Sequence, residues 1–64
     1  MPTRKLVEVY QYRLVDPVTG RAIISYAKMT AEGIARIGAQ IIADTEQEVW
    51  EGALDENGRY FPTS

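Results

Sequence analysis

Two runs rich in apolar and aromatic residues, Glu8 to Val15 and Ala22 to Met29, flank the segment Asp16-Pro17-Val18-Thr19-Gly20-Arg21. Asp16 is suited to accept backbone N–H bonds from Val18 or Thr19. Pro17 pre-sets φ for the first turn position, and Gly20 takes a left-handed conformation without steric cost. The pattern predicts a β-hairpin with a four-residue loop, Pro17 to Gly20, closed by Asp16 opposite Arg21.

Side chains alternate across a ladder, so this closure fixes two faces. One collects Leu14 opposite Ile23, Tyr12 opposite Ser25, Tyr10 opposite Ala27 and Glu8 opposite Met29, and is predicted to lie on the core. The other collects Val15 with Ala22, Arg13 with Ile24, Gln11 with Tyr26 and Val9 with Lys28, a mixture of cations, an amide, aliphatic groups and a ring.

Beyond the hairpin, Thr30 is predicted to cap a short helix. Glu32 sits in its first turn, where the helix dipole favours an anion, and Ile34 and Ile37 share one face. Gly38 stands where a glycine ends a helix. A single helix through residues 33–52 is the rival reading, since Ile34, Ile37, Ile41, Thr45 and Val49 also follow a helical stripe. Gly33, Gly38 and the β-branched pair Ile41-Ile42 favour a short buried strand at 39–43 instead. Thr45 with Glu48 has capping-box spacing for a helical turn around 46–51, while the segment around Val49 also reads as extended, and Asn57-Gly58 predicts a second hairpin between Val49 to Leu54 and Arg59 to Phe61, or a turned-back tail over 55–64. The expected fold is a small α+β domain: an antiparallel sheet led by a β-hairpin, with one short helix in a ββαβ-like order.

The length changes the picture first. With 64 residues the chain forms one small domain with a marginal core, and having neither Cys nor His it lacks disulfides, thiolate metal sites and imidazole ligands. Oligomerisation or docking on a partner is the remaining source of stability, and a homodimer or a protein partner is expected. No apolar run is long enough for a signal peptide or a membrane span, so a soluble, cytoplasmic protein is expected. The formal charge of −2 conceals an asymmetry: residues 1–36 carry six basic and three acidic side chains, residues 37–64 one basic and six acidic. Either two halves neutralise each other on packing, or a basic or acidic face meets a charged partner.

Candidate chemistry is sparse. Ser25, Thr30, Thr45 and Lys28 are the available nucleophiles, and none lies in a nucleophile elbow or a Ser-x-x-Lys motif. No glycine spacing matches a nucleotide fingerprint, and Asp44-x-Glu46-x-Glu48 does not follow the calcium-loop pattern. Neither an enzyme, nor a cofactor, metal or small-molecule substrate, is expected. Glu8, placed near Met29, is the one candidate for a buried acid.

The candidate partner-binding face is therefore Gln11, Arg13, Val15, Ile24, Tyr26 and Lys28. Its tyrosine, arginine and aliphatic residues have the make-up of an interface centre, whereas Trp50 is expected to plug the core. Arg13, Gln11, Tyr26 and Lys28 also suit a nucleic-acid-binding ribbon, which a pI near 4.9 disfavours. An alternative acidic surface, Asp44, Glu46, Glu48 and Glu51, suits a decoy that blocks a nucleic-acid-binding enzyme.

Residues 10–51 resemble a loose group of short bacterial and prophage-type proteins. The resemblance rests on Tyr10 and Arg13, Asp16-Pro17, Thr19-Gly20-Arg21, Tyr26, Met29-Thr30 and Glu48-Val49. It implies a hairpin, helix, strand order and a bacterial or phage setting, and carries no activity. Gly38-Ala39 stands where that group's pattern has a proline-containing break. The expectation is a non-catalytic protein-binding or inhibitory accessory protein.

Overall fold

A computed structural model describes residues 5–62; Arg4 and residues 63 and 64 of the expected tail lie outside the described residues. The fold is α+β: among the described residues there are seven short strands in two antiparallel sheets, one α-helix and one 3-10 turn. In chain order the strands are β1 (Leu6–Tyr10), β2 (Tyr12–Val15), β3 (Ala22–Ile24), β4 (Lys28–Thr30), β5 (Gln40–Ile41), β6 (Gln47–Trp50) and β7 (Arg59–Tyr60), with helix α1 (Ala31–Arg36) between β4 and β5. One sheet has the order β6-β1-β4-β7, the other β3-β2-β5.

The hairpin turn forms as its residues dictate. The Asp16 amide donates to the Arg21 carbonyl at 2.8 Å, the Val18 amide donates to the Asp16 carboxylate at 2.8 Å, and Gly20 has φ +74°. Val15 pairs with Ala22, Leu14 with Ile23 and Arg13 with Ile24, the expected register. Gly20→Val is expected to cost roughly 1 kcal/mol or more, because a β-branched residue is strained at positive φ, and Pro17→Ala is expected to cost less. A thermal melt of the two variants checks this; equal tolerance of both would contradict the loop geometry.

Below Tyr12 the expected ladder fails. Tyr10 pairs with Met29 and Val9 with Thr30, not with Ala27 and Lys28. Two extra residues are inserted on the returning strand, and the cause is Ser25. Its hydroxyl accepts the Tyr12 amide at 3.0 Å and donates to the Ala27 carbonyl at 2.7 Å, so a side chain replaces a backbone partner of the ladder. Opposite this bulge Gln11 leaves strand geometry: its amide donates to Thr45 Oγ1, its carbonyl accepts from Ile42, and its side-chain amide donates to the Ser25 carbonyl. One long ribbon is thereby split between two sheets.

The split changes which residues are inside. Val9, expected on the mixed face, is fully buried, while Leu14 and Ile23, expected in the core, are exposed. Glu8 is also exposed and lies opposite Glu48 across the β1–β6 pair, not beside Met29, so the buried-acid expectation is corrected. Trp50, expected in the core, is 52 % exposed; it pairs with Leu6, and its ring lies over Gly52, where any Cβ would collide with it. The corresponding turn, Glu51–Ala53, is a single 3-10 turn after β6.

Helix α1 starts and stops where expected. The Thr30 hydroxyl accepts the Gly33 amide, and Gly38 at φ +74° follows the Ile37 cap. The interior glycine has a packing reason: a Cβ on Gly33 would come within 2.8 Å of the Met29 terminal methyl. Ile34, 1 % exposed, packs with Tyr12 and Met29, and Tyr10 and Ala39 border this cluster.

Residues 39–50 form two short strands joined by a loop rather than a continuation of the helix. β5 is shorter than the expected strand at 39–43 and is exposed rather than buried, pairing Ile41 with Tyr12 and Gln40 with Arg13. Thr45 caps no helix; its hydroxyl donates to the Ile42 carbonyl and accepts from Gln11. β6 pairs with β1 from Leu6–Trp50 to Val9–Gln47. The turn around Asn57-Gly58 reverses the chain, the Asp55 amide donating to the Arg59 carbonyl, and it delivers β7 to the free side of β4 rather than to residues 49–54. Among the described residues one ion pair, Lys5–Glu51 at 3.9 Å, joins the basic half to the acidic half.

Candidate functional site

The bulge at Ser25 and the break at Gln11 carry the second sheet away from the core. β3 is exposed at all three residues, and of β2 only Tyr12 is buried. The molecule is accordingly elongated, 49 × 24 × 17 Å, with a Cα radius of gyration of 12.7 Å against about 11 Å for a compact chain of this length. What projects is apolar: Val15, Ile23 and Ile24 are each more than half exposed.

Each face of this sheet carries a groove. The larger, about 330 Å³, is bordered by Leu14, Ile23, Tyr26 and Phe61 and floored by the buried residues Tyr12 and Ala27. Its rim is fixed by the segment after β7: the Tyr26 hydroxyl donates to the Pro62 carbonyl at 2.8 Å, and the Arg59 guanidinium lies 5.2 Å from the Phe61 ring centroid, a cation–π distance. Arg59 is in turn held by the second turn, where its amide donates to the Asp55 carboxylate at 2.9 Å and its Nε lies 3.4 Å from the same carboxylate. That amide bond is the main influence holding the Asp55 carboxyl below its ordinary pKa; desolvation opposes it, and the Asn57 amide and the Arg59 charge add to it. On the opposite face Arg13, Ile24, Gln40, Ile41 and Ile42 line a groove of about 280 Å³, where the Arg13 guanidinium donates to the Gln40 side-chain carbonyl.

Of the six residues expected to form one partner-binding face, Arg13, Val15 and Ile24 share a face of the projecting sheet. Tyr26 lies at its base beside Phe61. Gln11 is occupied at the junction by the bonds already described. Lys28 belongs to the other sheet, where its ammonium donates to Gln47 Oε1 at 3.0 Å and Gln47 reaches the Tyr60 hydroxyl at 3.4 Å. The constellation of Arg13, Gln11, Tyr26 and Lys28 that suggested a nucleic-acid ribbon is thus dispersed, with both cations engaged by neutral amides.

The acidic residues follow the β6 side of the larger sheet. Glu46, Glu48 and Glu51 are exposed, and Asp44 is exposed in the preceding loop at φ +64°. Among the described residues no three carboxylates gather closely enough to hold a metal ion, and no helix is long and apolar enough to cross a membrane. Leu14, Ile23 and Phe61 join the exposed apolar surface although the sequence pattern had not placed them there. Leu14 and Ile23 carried an apolar signal that pointed inward, and Phe61 carried none beyond its position after the second turn. Comparison of the chain with protein-family models, curated proteins and solved structures finds no match.

Proposed function

We propose that this chain is a non-catalytic protein-binding module whose binding surface is the projecting sheet β3-β2-β5. The observation that supports this is the concentration of Val15, Ile23, Ile24, Tyr26 and Phe61, each about half exposed or more, around one small sheet that the described residues leave uncovered. Apolar patches rimmed by polar groups on a soluble chain mark interaction sites, and Tyr and Arg are typical anchors at their centres. Arg13 and Arg59 supply the polar rim. The resemblance of residues 10–51 supports a bacterial or phage cytoplasm as the setting, with an inhibitory accessory role as one form such a module takes. No geometry favours the nucleic-acid or decoy readings, because the cations are dispersed and the carboxylates are spread along a sheet edge.

Immobilised protein is expected to capture a partner from a bacterial lysate, and Ile24→Asp is expected to abolish the capture while leaving the far-UV circular dichroism unchanged. Leu6→Asp, at the opposite end of the molecule, serves as the control. Capture by wild type and Ile24→Asp alike would move the binding surface elsewhere.

A further inference from the structure

Sheet edges offer unpaired amides and carbonyls, and proteins blunt them with short strands, charges or proline. Three of the four edges here are blunted. β6 carries the exposed carboxylates of Glu48 and, just outside it, Glu46 and Glu51; β5 has two residues; β7 has two residues and is followed within two positions by Pro62. The fourth edge, β3, is Ala22-Ile23-Ile24, without charge or proline, and its three residues are all exposed.

The ladder also fixes which backbone groups of β3 face outward. Asp16 with Arg21 and Tyr12 with Ser25 are bonded positions, the amides of Asp16 and Ser25 donating to the carbonyls of Arg21 and Tyr12. Bonded and non-bonded pairs alternate in an antiparallel ladder. Leu14–Ile23 is therefore a bonded pair, whereas Ala22 and Ile24, opposite Val15 and Arg13, direct their amides and carbonyls away from β2.

From this geometry we propose that β3 pairs antiparallel with β3 of a second copy of the chain, about a two-fold axis through Ile23, joining two three-stranded sheets into one of six strands. The proposal rests on the reading of the projecting sheet as a binding surface and names its occupant. The strand is self-complementary about this axis. Each Ala22 meets the partner's Ile24 and exchanges both backbone bonds with it, which satisfies the outward groups. The two Ile23 side chains meet at the axis in a non-bonded pair, where side chains approach most closely.

Charge and exposure fit the same occupant. Arg21 falls opposite Ser25 of the partner subunit, so no like charges meet across the seam, and this register overlaps all three residues of both strands; a register centred on Ala22 or Ile24 also matches the outward groups but sets Ile23 against Arg21 or Ser25 rather than against its own copy. The axis is perpendicular to the sheet, so the grooves beside Ile23 in the two copies adjoin on one face. Leu14, Ile23, Tyr26 and Phe61 on that face and Ile24 on the other are 36–65 % exposed, apolar surface that the pairing covers in part.

Sedimentation at micromolar concentrations, combined with oxidative cross-linking, tests the pairing. Because the chain has no cysteine, Ile23→Cys is expected to give a disulfide-linked dimer under mild oxidation, while Val18→Cys, 88 % exposed at the loop tip and away from the seam, is expected to sediment like wild type and form no cross-link within the dimer. Ala22→Pro removes an outward amide at the first position of the strand, where proline is tolerated, and is expected to raise the dimer dissociation constant at least about tenfold. A wild-type chain that sediments as a monomer, or an Ile23→Cys chain that cross-links no better than Val18→Cys, would overturn the proposal whether or not Ala22→Pro folds. Lysate capture that is lost in Ile24→Asp, from a chain that is itself monomeric, would sink the second copy alone and leave the binding surface standing. A monomer that captures nothing would remove both.

Discussion

Ile34→Ala is expected to lower the melting temperature by roughly 10 °C or more. Ile34 is the helix residue that closes the cluster with Tyr12 and Met29, and truncating a buried isoleucine costs about 2–5 kcal/mol through lost transfer energy and the cavity left behind. A domain of this length has a total stability of only about 3–10 kcal/mol, and 1 kcal/mol moves the midpoint of so small a protein by roughly 4–8 °C. Ile34→Val, which removes one methylene, is expected to lose about 0.5–1.5 kcal/mol and keep a cooperative transition. Thermal denaturation followed by circular dichroism checks both. A loss of only a few degrees in Ile34→Ala would show that the helix is dispensable to the core.

Val9→Asp is expected to leave the chain unfolded, while a charge change at its neighbour does the reverse. Val9 is 0 % exposed in β1, between β4 and β6, so an aspartate there is an unpaired carboxylate removed from water on a central strand. Glu8 points to the other side of the sheet, where it faces Glu48. Directly opposed like charges destabilise a strand pair, and Glu8→Lys, which converts the pair to opposite charges, is expected to add up to about 1 kcal/mol. Denaturant titration of the two single variants measures the contrast. Tolerance of Val9→Asp together with destabilisation by Glu8→Lys would mean that β1 faces the other way.

That contrast also marks where sequence reading stopped. The hairpin turn and the helix limits were legible because short-range chemistry decides them: the Asp16 carboxylate reaches an amide two residues on, Thr30 caps Gly33, and Gly20 and Gly38 take a backbone conformation that other residues resist. Period-two alternation predicts a continuous ladder through Gln11, where it fails, because the Ser25 hydroxyl substitutes for a carbonyl and shifts the ladder by two residues. A serine in a strand pattern carries no mark that distinguishes this role.

The same bulge explains the candidate surface. Arg13, Val15 and Ile24 share one face, as the alternation predicts, because they lie on the turn side of the bulge, and Lys28 is in the other sheet because it lies beyond it. Leu14 and Ile23 were assigned to a core that the displaced sheet never reaches. β6, which pairs with β1 across some 40 residues of sequence, depends on long-range packing that no local pattern announces.

The position of Trp50 has a spectroscopic consequence. It is the chain's single tryptophan, half exposed, stacked over Gly52 and opposite Leu6 at the end of the larger sheet, whereas β3 belongs to the other sheet. Its emission is therefore a local gauge of the β1–β6 pair: it registers loss of that pairing when the chain unfolds, and it is blind to events at the hairpin. The four tyrosines are distributed differently, with Tyr12 and Tyr26 at the base of the projecting sheet. Tryptophan emission thus reports on the larger sheet alone, whereas the tyrosine signal comes from both sheets, since Tyr10 and Tyr60 lie in β1 and β7.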